Sequence, residues 1–164
     1  MVLRPRWYGA LILVAALALL AACGGGTTSH PISGVTATTG PVTLTTNLAT
    51  YTTGDAVGVT VTNASKSDYY AKDDKSGCTI IQLQRYNAGT GVWDSVDPCV
   101  SSQQIQVYLI AKGSAVPYTL APTSASDVNA WSTGTYRISM TYSTHADGAT
   151  QAVEAHSAAF TIKG

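Results

Sequence analysis

The sequence predicts an all-β chain, a two-sheet Greek-key β-sandwich of seven to nine strands, and three observations carry that expectation. Short runs of β-branched and aromatic residues alternate with polar ones, the period of half-buried strands. Clusters of Gly, Asn, Asp and Pro interrupt these runs about every dozen residues, as antiparallel connections require. Beyond the N-terminal segment no stretch keeps a convincing helical period, whereas an α/β fold would need helices of about ten or more residues between its strands.

Taken in order, a first β-prone run covers Val35 to Thr39 and a second covers Val42 to Leu48, with Val42 and Leu44 facing one way. Gly54-Asp55 marks a turn, and Val57, Val59 and Val61 then alternate up to Asn63. The polar stretch Asn63 to Gly77, broken by Tyr69-Tyr70, reads as a loop or a short edge strand. Cys78 to Tyr86 is the next run, and the pair Ile80-Ile81 blurs its alternation. Asn87 to Gly91 makes a turn into a return strand starting at Val92-Trp93, which Pro98 ends. Ile105, Val107 and Leu109 alternate against Gln104, Gln106 and Tyr108, which predicts a half-buried strand with the aliphatic residues inward. Val116 to Leu120 tolerates Pro117 as an edge or strand-start residue. Ser124 to Trp131 fits one helical turn, with Trp131 plugging the edge of the core. Thr135 to Tyr142 points Tyr136, Ile138 and Met140 to one face, and Val153 to Ile162 closes the domain.

The N-terminus has a different character. Arg4 and Arg6 precede an uncharged apolar run from Tyr8 to Leu20, which then breaks into Gly24-Gly25-Gly26 with no positive flank. A basic end that stays inside, followed by an apolar run short of the roughly 20 residues a spanning helix needs, is the pattern of an export signal. Leu20-Ala21-Ala22-Cys23 resembles the lipobox of bacterial lipoproteins. That resemblance implies a signal peptide over residues 1–22, a diacylglyceryl group on Cys23, cleavage before Cys23 and fatty acylation of the new amino terminus. It also implies a protein lipid-anchored to the cell membrane or outer membrane, with its domain on the extracytoplasmic side, since two or more chains hold firmly where one does not. An ordinary secretory signal or a plain N-terminal anchor is the alternative. Residues 23–34 are then a lipidated cysteine and a flexible Gly/Ser/Thr tether, and residues 35–164 the β-sandwich domain.

Removing 22 residues from 164 leaves 142, enough for one core. The mature part carries seven Lys/Arg against nine Asp/Glu and shows no basic patch, which argues against a nucleic-acid partner. With Cys23 assigned to lipid, Cys78 and Cys99 remain as an even pair in an oxidising compartment, which predicts a disulfide. Closing a loop of about 20 residues is worth about 3 kcal/mol on a chain-entropy basis. Two free buried thiols are the alternative, and zinc is disfavoured because no further Cys or His lies near either residue.

The line running Leu44, Tyr51, Gly54, Val57 to Asn63, Trp93, Leu120 and Trp131 to Gly134-Thr135-Tyr136-Arg137 resembles bacterial immunoglobulin-like domains of surface proteins and lipoproteins. The resemblance covers about 110 residues, Val42 to about Thr161, and implies an immunoglobulin-like sandwich. Tyr136 suits a structural tyrosine corner, ring inward and hydroxyl on the preceding turn. The cysteine pair departs from the antibody pattern: Cys78 and Cys99 are too close for the usual inter-sheet bridge, and Met140 or Tyr142 stands where the second cysteine belongs.

A search for chemistry finds little. Ser143, His145 and Asp147 crowd into one hairpin loop at i, i+2 spacing, without the elbow that exposes a nucleophile. Asp68, Asp73 and Asp74 are interleaved with Lys66, Lys72 and Lys75 and lack calcium-loop spacing, and Asp94 and Asp97 read as loop or cap residues. No metal, no cofactor and no catalytic residue is expected. His156, alternating with Glu154, reads as solvent-facing. The aromatic residues carry the remaining signal: Tyr69, Tyr70 and Trp93 form a candidate binding patch if they converge, since aromatic side chains anchor interfaces at low entropic cost. The expected function is that of a non-catalytic, membrane-tethered envelope lipoprotein, a binding or accessory module for a protein or glycan. A protease-inhibitor-like domain and a structural spacer are the alternatives.

Overall fold

The computed structural model describes residues 37–73, 79–96, 105–122, 131–147 and 151–164. Every regular element among them is a β-strand: β1 (Val42–Thr46), β2 (Thr50–Thr52), β3 (Val57–Asn63), β4 (Tyr69–Lys72), β5 (Gln82–Asn87), β6 (Val92–Val96), β7 (Val107–Ile110), β8 (Ala115–Leu120), β9 (Gly134–Ser143), β10 (Val153–His156) and β11 (Phe160–Lys163). They form two sheets arranged as a sandwich. The smaller runs β1-β3-β8, all antiparallel. The larger runs β2-β11-β9-β4-β7, antiparallel except for the parallel β2–β11 pair.

β9 is the spine of the larger sheet. Along one side it pairs with β11 and then β10; along the other it pairs with β5 and then β4. The eleven strands exceed the seven to nine expected because long runs are interrupted. Val153 to Ile162 is split by a bulge, in which Ser157-Ala158-Ala159 oppose only Arg137-Ile138. The buried Ser157 keeps the ladder satisfied there: its N–H donates to the Ile138 carbonyl and its Oγ accepts from the Ile138 N–H, both at 2.9 Å.

The core forms where the inward-facing sets meet. Val42, Leu44, Val57, Val59, Val61 and Leu120 come from the smaller sheet, and Tyr136, Ile138, Met140, Tyr142, Phe160 and Ile162 from the larger. Burying such side chains is worth about 1.5–3 kcal/mol each. Trp131 closes the core edge, buried, with its indole N–H donating to the Asp55 carbonyl at 2.8 Å; residues 123–130, where a helical turn is expected, lie outside the described residues.

Three local expectations need correction. Residues 37–39 form no strand; instead Thr38 exchanges two bonds with His156, N–H to carbonyl and N–H to Oγ1, both at 2.9 Å. The run expected over Cys78 to Tyr86 enters its strand only at Gln82, and Ile80 and Ile81 are both buried ahead of it, which explains the blurred alternation. On β7 the facing is reversed. Ile105, Val107 and Leu109 are 64%, 46% and 57% exposed, while Ile110 is buried and Tyr108 packs on the core. The pairing with β4 decides this, because Ala71 stands opposite Tyr108 and Tyr69 opposite Ile110, and Ala71 points inward.

Candidate functional site

The outer face of the larger sheet holds the most organised cluster of functional side chains. Because directly paired residues share a face, the register Arg137↔Gln84↔Ser95 and Tyr86↔Trp93 brings residues from three strands together. Arg137 Nε donates to Gln84 Oε1 at 2.7 Å. Its guanidinium carbon lies 4.5 Å from the centroid of the Trp93 ring, a cation–π distance. Tyr86 and Trp93 pack with ring centroids 5.2 Å apart at a tilt of 54°. All four side chains are only partly buried, so the stack is ordered yet open to solvent. Burial pulls the Arg137 pKa below its ordinary value, with Glu154 acting in the opposite sense; it remains a cation, as guanidinium does in proteins.

The next outer-face positions are His156, opposite Ser139, and Glu154, opposite Thr141. His156 Nε2 is 3.9 Å from Glu154 Oε2. Burial lowers the imidazole pKa, the nearby Arg137 charge lowers it further, and Glu154 partly offsets both. The ring is therefore neutral near pH 7 and becomes a second cation beside Arg137 only in acid.

Beside the aromatic pair the sheet opens into a cleft. The β5–β9 ladder ends at Arg85↔Tyr136, and Gly134 and Thr135 pair with β11 on the opposite side. Past that point β5 and β9 diverge around an open space of about 620 Å³, lined by Arg85, Tyr86, Asn87, Asp94, Gly134 and Thr135 among others. Arg85 donates through Nη2 to the Thr133 carbonyl at 2.8 Å. Its Nε lies where a Cβ on Gly134 would approach to 2.9 Å, so a side chain there would displace it. Asn87 Nδ2 donates to Asp94 Oδ2 at 3.1 Å, and its Oδ1 accepts from the Gly89 N–H at 3.0 Å. The hairpin turn and the carboxylate are thus held by one amide. Gly91 completes the turn with φ of +72°, a conformation glycine adopts without strain.

The three aromatic residues of the expected patch do not converge. Tyr69 points inward and meets buried Tyr142 edge to face at 5.2 Å. Tyr70 lies on the outer face opposite Ser143 and Leu109, whereas Trp93 sits beyond the Arg85↔Tyr136 pair. Seven residues of β9 separate these two places, about 23 Å at roughly 3.3 Å per residue. Tyr136 donates its hydroxyl to the Ser132 carbonyl, four residues back, at 2.6 Å. Cys23, Cys78 and Cys99 lie outside the described residues.

The remaining candidates have structural partners. Ser143 Oγ donates to the main-chain carbonyl of His145 at 2.7 Å, so its proton is directed away from the imidazole. Asp68 Oδ1 accepts from the Lys112 N–H and buried Asp73 Oδ1 from the Gln106 N–H, both at 2.8 Å; Asp74 lies outside the described residues. Residue-by-residue reading missed Arg137, Gln84, Arg85 and Asp94. A period-2 signal was present in Gln82-Gln84-Tyr86, but the partners that give it meaning stand more than 50 positions away on β9.

No protein-family model matches the chain, and no curated protein matches it.

Proposed function

We propose that this chain is a non-catalytic envelope lipoprotein, anchored through Cys23, whose immunoglobulin-like domain is a binding or accessory module for a protein or glycan on the extracytoplasmic side. The observation that carries the binding role is the Arg137–Trp93–Tyr86 stack, an ordered aromatic–cation platform left open to solvent beside a cleft. A partly buried tryptophan held by neighbours on β5 and β9 is the kind of rigid anchor that dominates recognition surfaces. Support for the immunoglobulin-like Greek key comes from the strand order, β1-β3-β8 against β2-β11-β9-β4-β7, with the chain changing sheets after β1, β2, β3, β7 and β8. The Tyr136 bond at the start of β9 fits the same reading. The anchor rests on the N-terminal sequence alone: the basic start, the apolar run and Leu20-Ala21-Ala22-Cys23.

The test uses the detergent-solubilised full chain with a C-terminal tag against extracytoplasmic envelope material. The expected result is recovery of a stoichiometric protein or glycan that is lost on Trp93→Ala and Arg137→Ala substitution. Equal recovery by the substituted chain, or no partner at all, would sink the binding role. Cys23→Ser should release the protein from the membrane fraction; retention there would sink the anchor.

A further inference from the structure

Resting on that binding role, we infer that the cleft where β5 and β9 diverge is a saccharide site that takes a neutral pyranose unit of an extracytoplasmic glycan. Arg85 and Asp94 stand directly opposite each other across the β5–β6 pair. Neither spends its charge on the other. Among the described residues Arg85 makes one hydrogen bond, through Nη2 to the Thr133 carbonyl, and Asp94 makes one, from Asn87 Nδ2 to Oδ2. A guanidinium carries five N–H donors and a carboxylate about four acceptor positions, so most of the capacity of both is unspent, on two residues that line the cleft.

Electrostatics then selects the ligand. An anion such as phosphate would gain from Arg85 but meet Asp94, and a cation would meet the reverse. A neutral ligand that donates and accepts at adjacent atoms suffers neither penalty. Vicinal hydroxyls do this, giving one oxygen to the guanidinium fork and one proton to the carboxylate, both charge-assisted bonds. The walls suit a pyranose. Asn87 and Thr135 line the cleft beside the charged pair and bring further polar atoms to a ring bearing several hydroxyls. The main chain of Tyr86 and Thr135, past the end of the β5–β9 ladder, supplies further polar partners. At about 620 Å³ the space lies within the range of small-ligand sites, about 300–1,000 Å³.

The experiment applies the detergent-solubilised full chain to an array of defined neutral pyranose oligosaccharides, then titrates the strongest by calorimetry alongside inorganic phosphate and glycine. The expected result is saturable one-to-one binding of an oligosaccharide, weakened at least about tenfold by both Asp94→Asn and Arg85→Gln, with unfolding curves close to wild type. A blank array overturns the inference, as does binding that both variants leave unchanged, or preferential binding of phosphate or glycine. Should envelope material still be captured through Trp93 while the array is blank, the saccharide site fails and the binding role stands; loss of both overturns both.

Discussion

Asn63 offers the sharpest test of how this sandwich is held together. It ends β3, where the chain leaves the smaller sheet for the larger, and its side chain is fully buried. Its amide uses all of its ordinary capacity: Nδ2 donates to the carbonyls of Ser67 at 2.8 Å and Ile110 at 3.0 Å, while Oδ1 accepts from the N–H and Oγ of Ser65 at 3.1 and 2.8 Å. One side chain thus ties the β3–β4 crossover to the end of β7. Asn63→Ala removes four bonds. The Ile110 bond is wholly buried, and an orphaned buried group costs about 1–3 kcal/mol; the part-buried partners regain some solvation and add about 1 kcal/mol together. A loss of about 3 kcal/mol is expected, which for a domain of this size lowers Tm by roughly 10 °C. Urea unfolding followed by the fluorescence of buried Trp131 measures it. Asn63→Asp provides the control, because its carboxylate keeps the Ser65 bonds but faces two carbonyl oxygens, so it should be better tolerated at pH 4 than at pH 8 when each is compared with wild type at the same pH. A loss below about 1 kcal/mol for the alanine variant, with no pH dependence for the aspartate variant, would falsify the idea that this amide pins the crossover.

Other substitutions probe separate parts of the fold. Tyr136→Phe removes the bond to Ser132 and should cost about 1 kcal/mol in chemical denaturation, with no change in the circular dichroism of the native state. Gly58→Ala places a Cβ 2.7 Å from Asn47 Oδ1, the atom that accepts from Tyr51 Oη and the Gly58 N–H. It should destabilise by about 1–3 kcal/mol, and Asn47→Ala in the same chain should recover part of that in a thermal melt. Leu109→Lys on the exposed row of β7 should change stability by no more than about 0.5 kcal/mol, whereas Ile110→Ala on its inner face should cost about 2–5 kcal/mol; comparable losses would contradict the facing described for β7. His156 has its pKa lowered below 6.5 in the fold, so its neutral state contributes stability that is present above pH 6.5 and lost as pH falls from there towards the folded-state value. His156→Gln should flatten the stability profile over that window, read from unfolding midpoints across pH 4.5–7.5.

The sandwich class was legible in the sequence because strand alternation is local. Val57, Val59 and Val61, or Tyr136, Ile138 and Met140, declare a buried face whatever they pack against, and all six are buried. Tyr136, Trp131 and Asn63 could be placed at element ends for the same reason: each sits beside its own turn signal. Facing and assembly were not legible. In β7 the rows Ile105-Val107-Leu109 and Tyr108-Ile110 are both apolar, and only the β4 register, with Ala71 against Tyr108, selects the inner one. The outer-face stack draws on Gln84, Tyr86, Trp93 and Arg137, and the cleft on Arg85, Asp94 and Gly134. Alternation fixes which residues of a strand share a face, but a period of two repeats identically at every register. Which strands lie side by side, and where their ladder stops, is decided by long-range pairing and by how the two sheets fill one core.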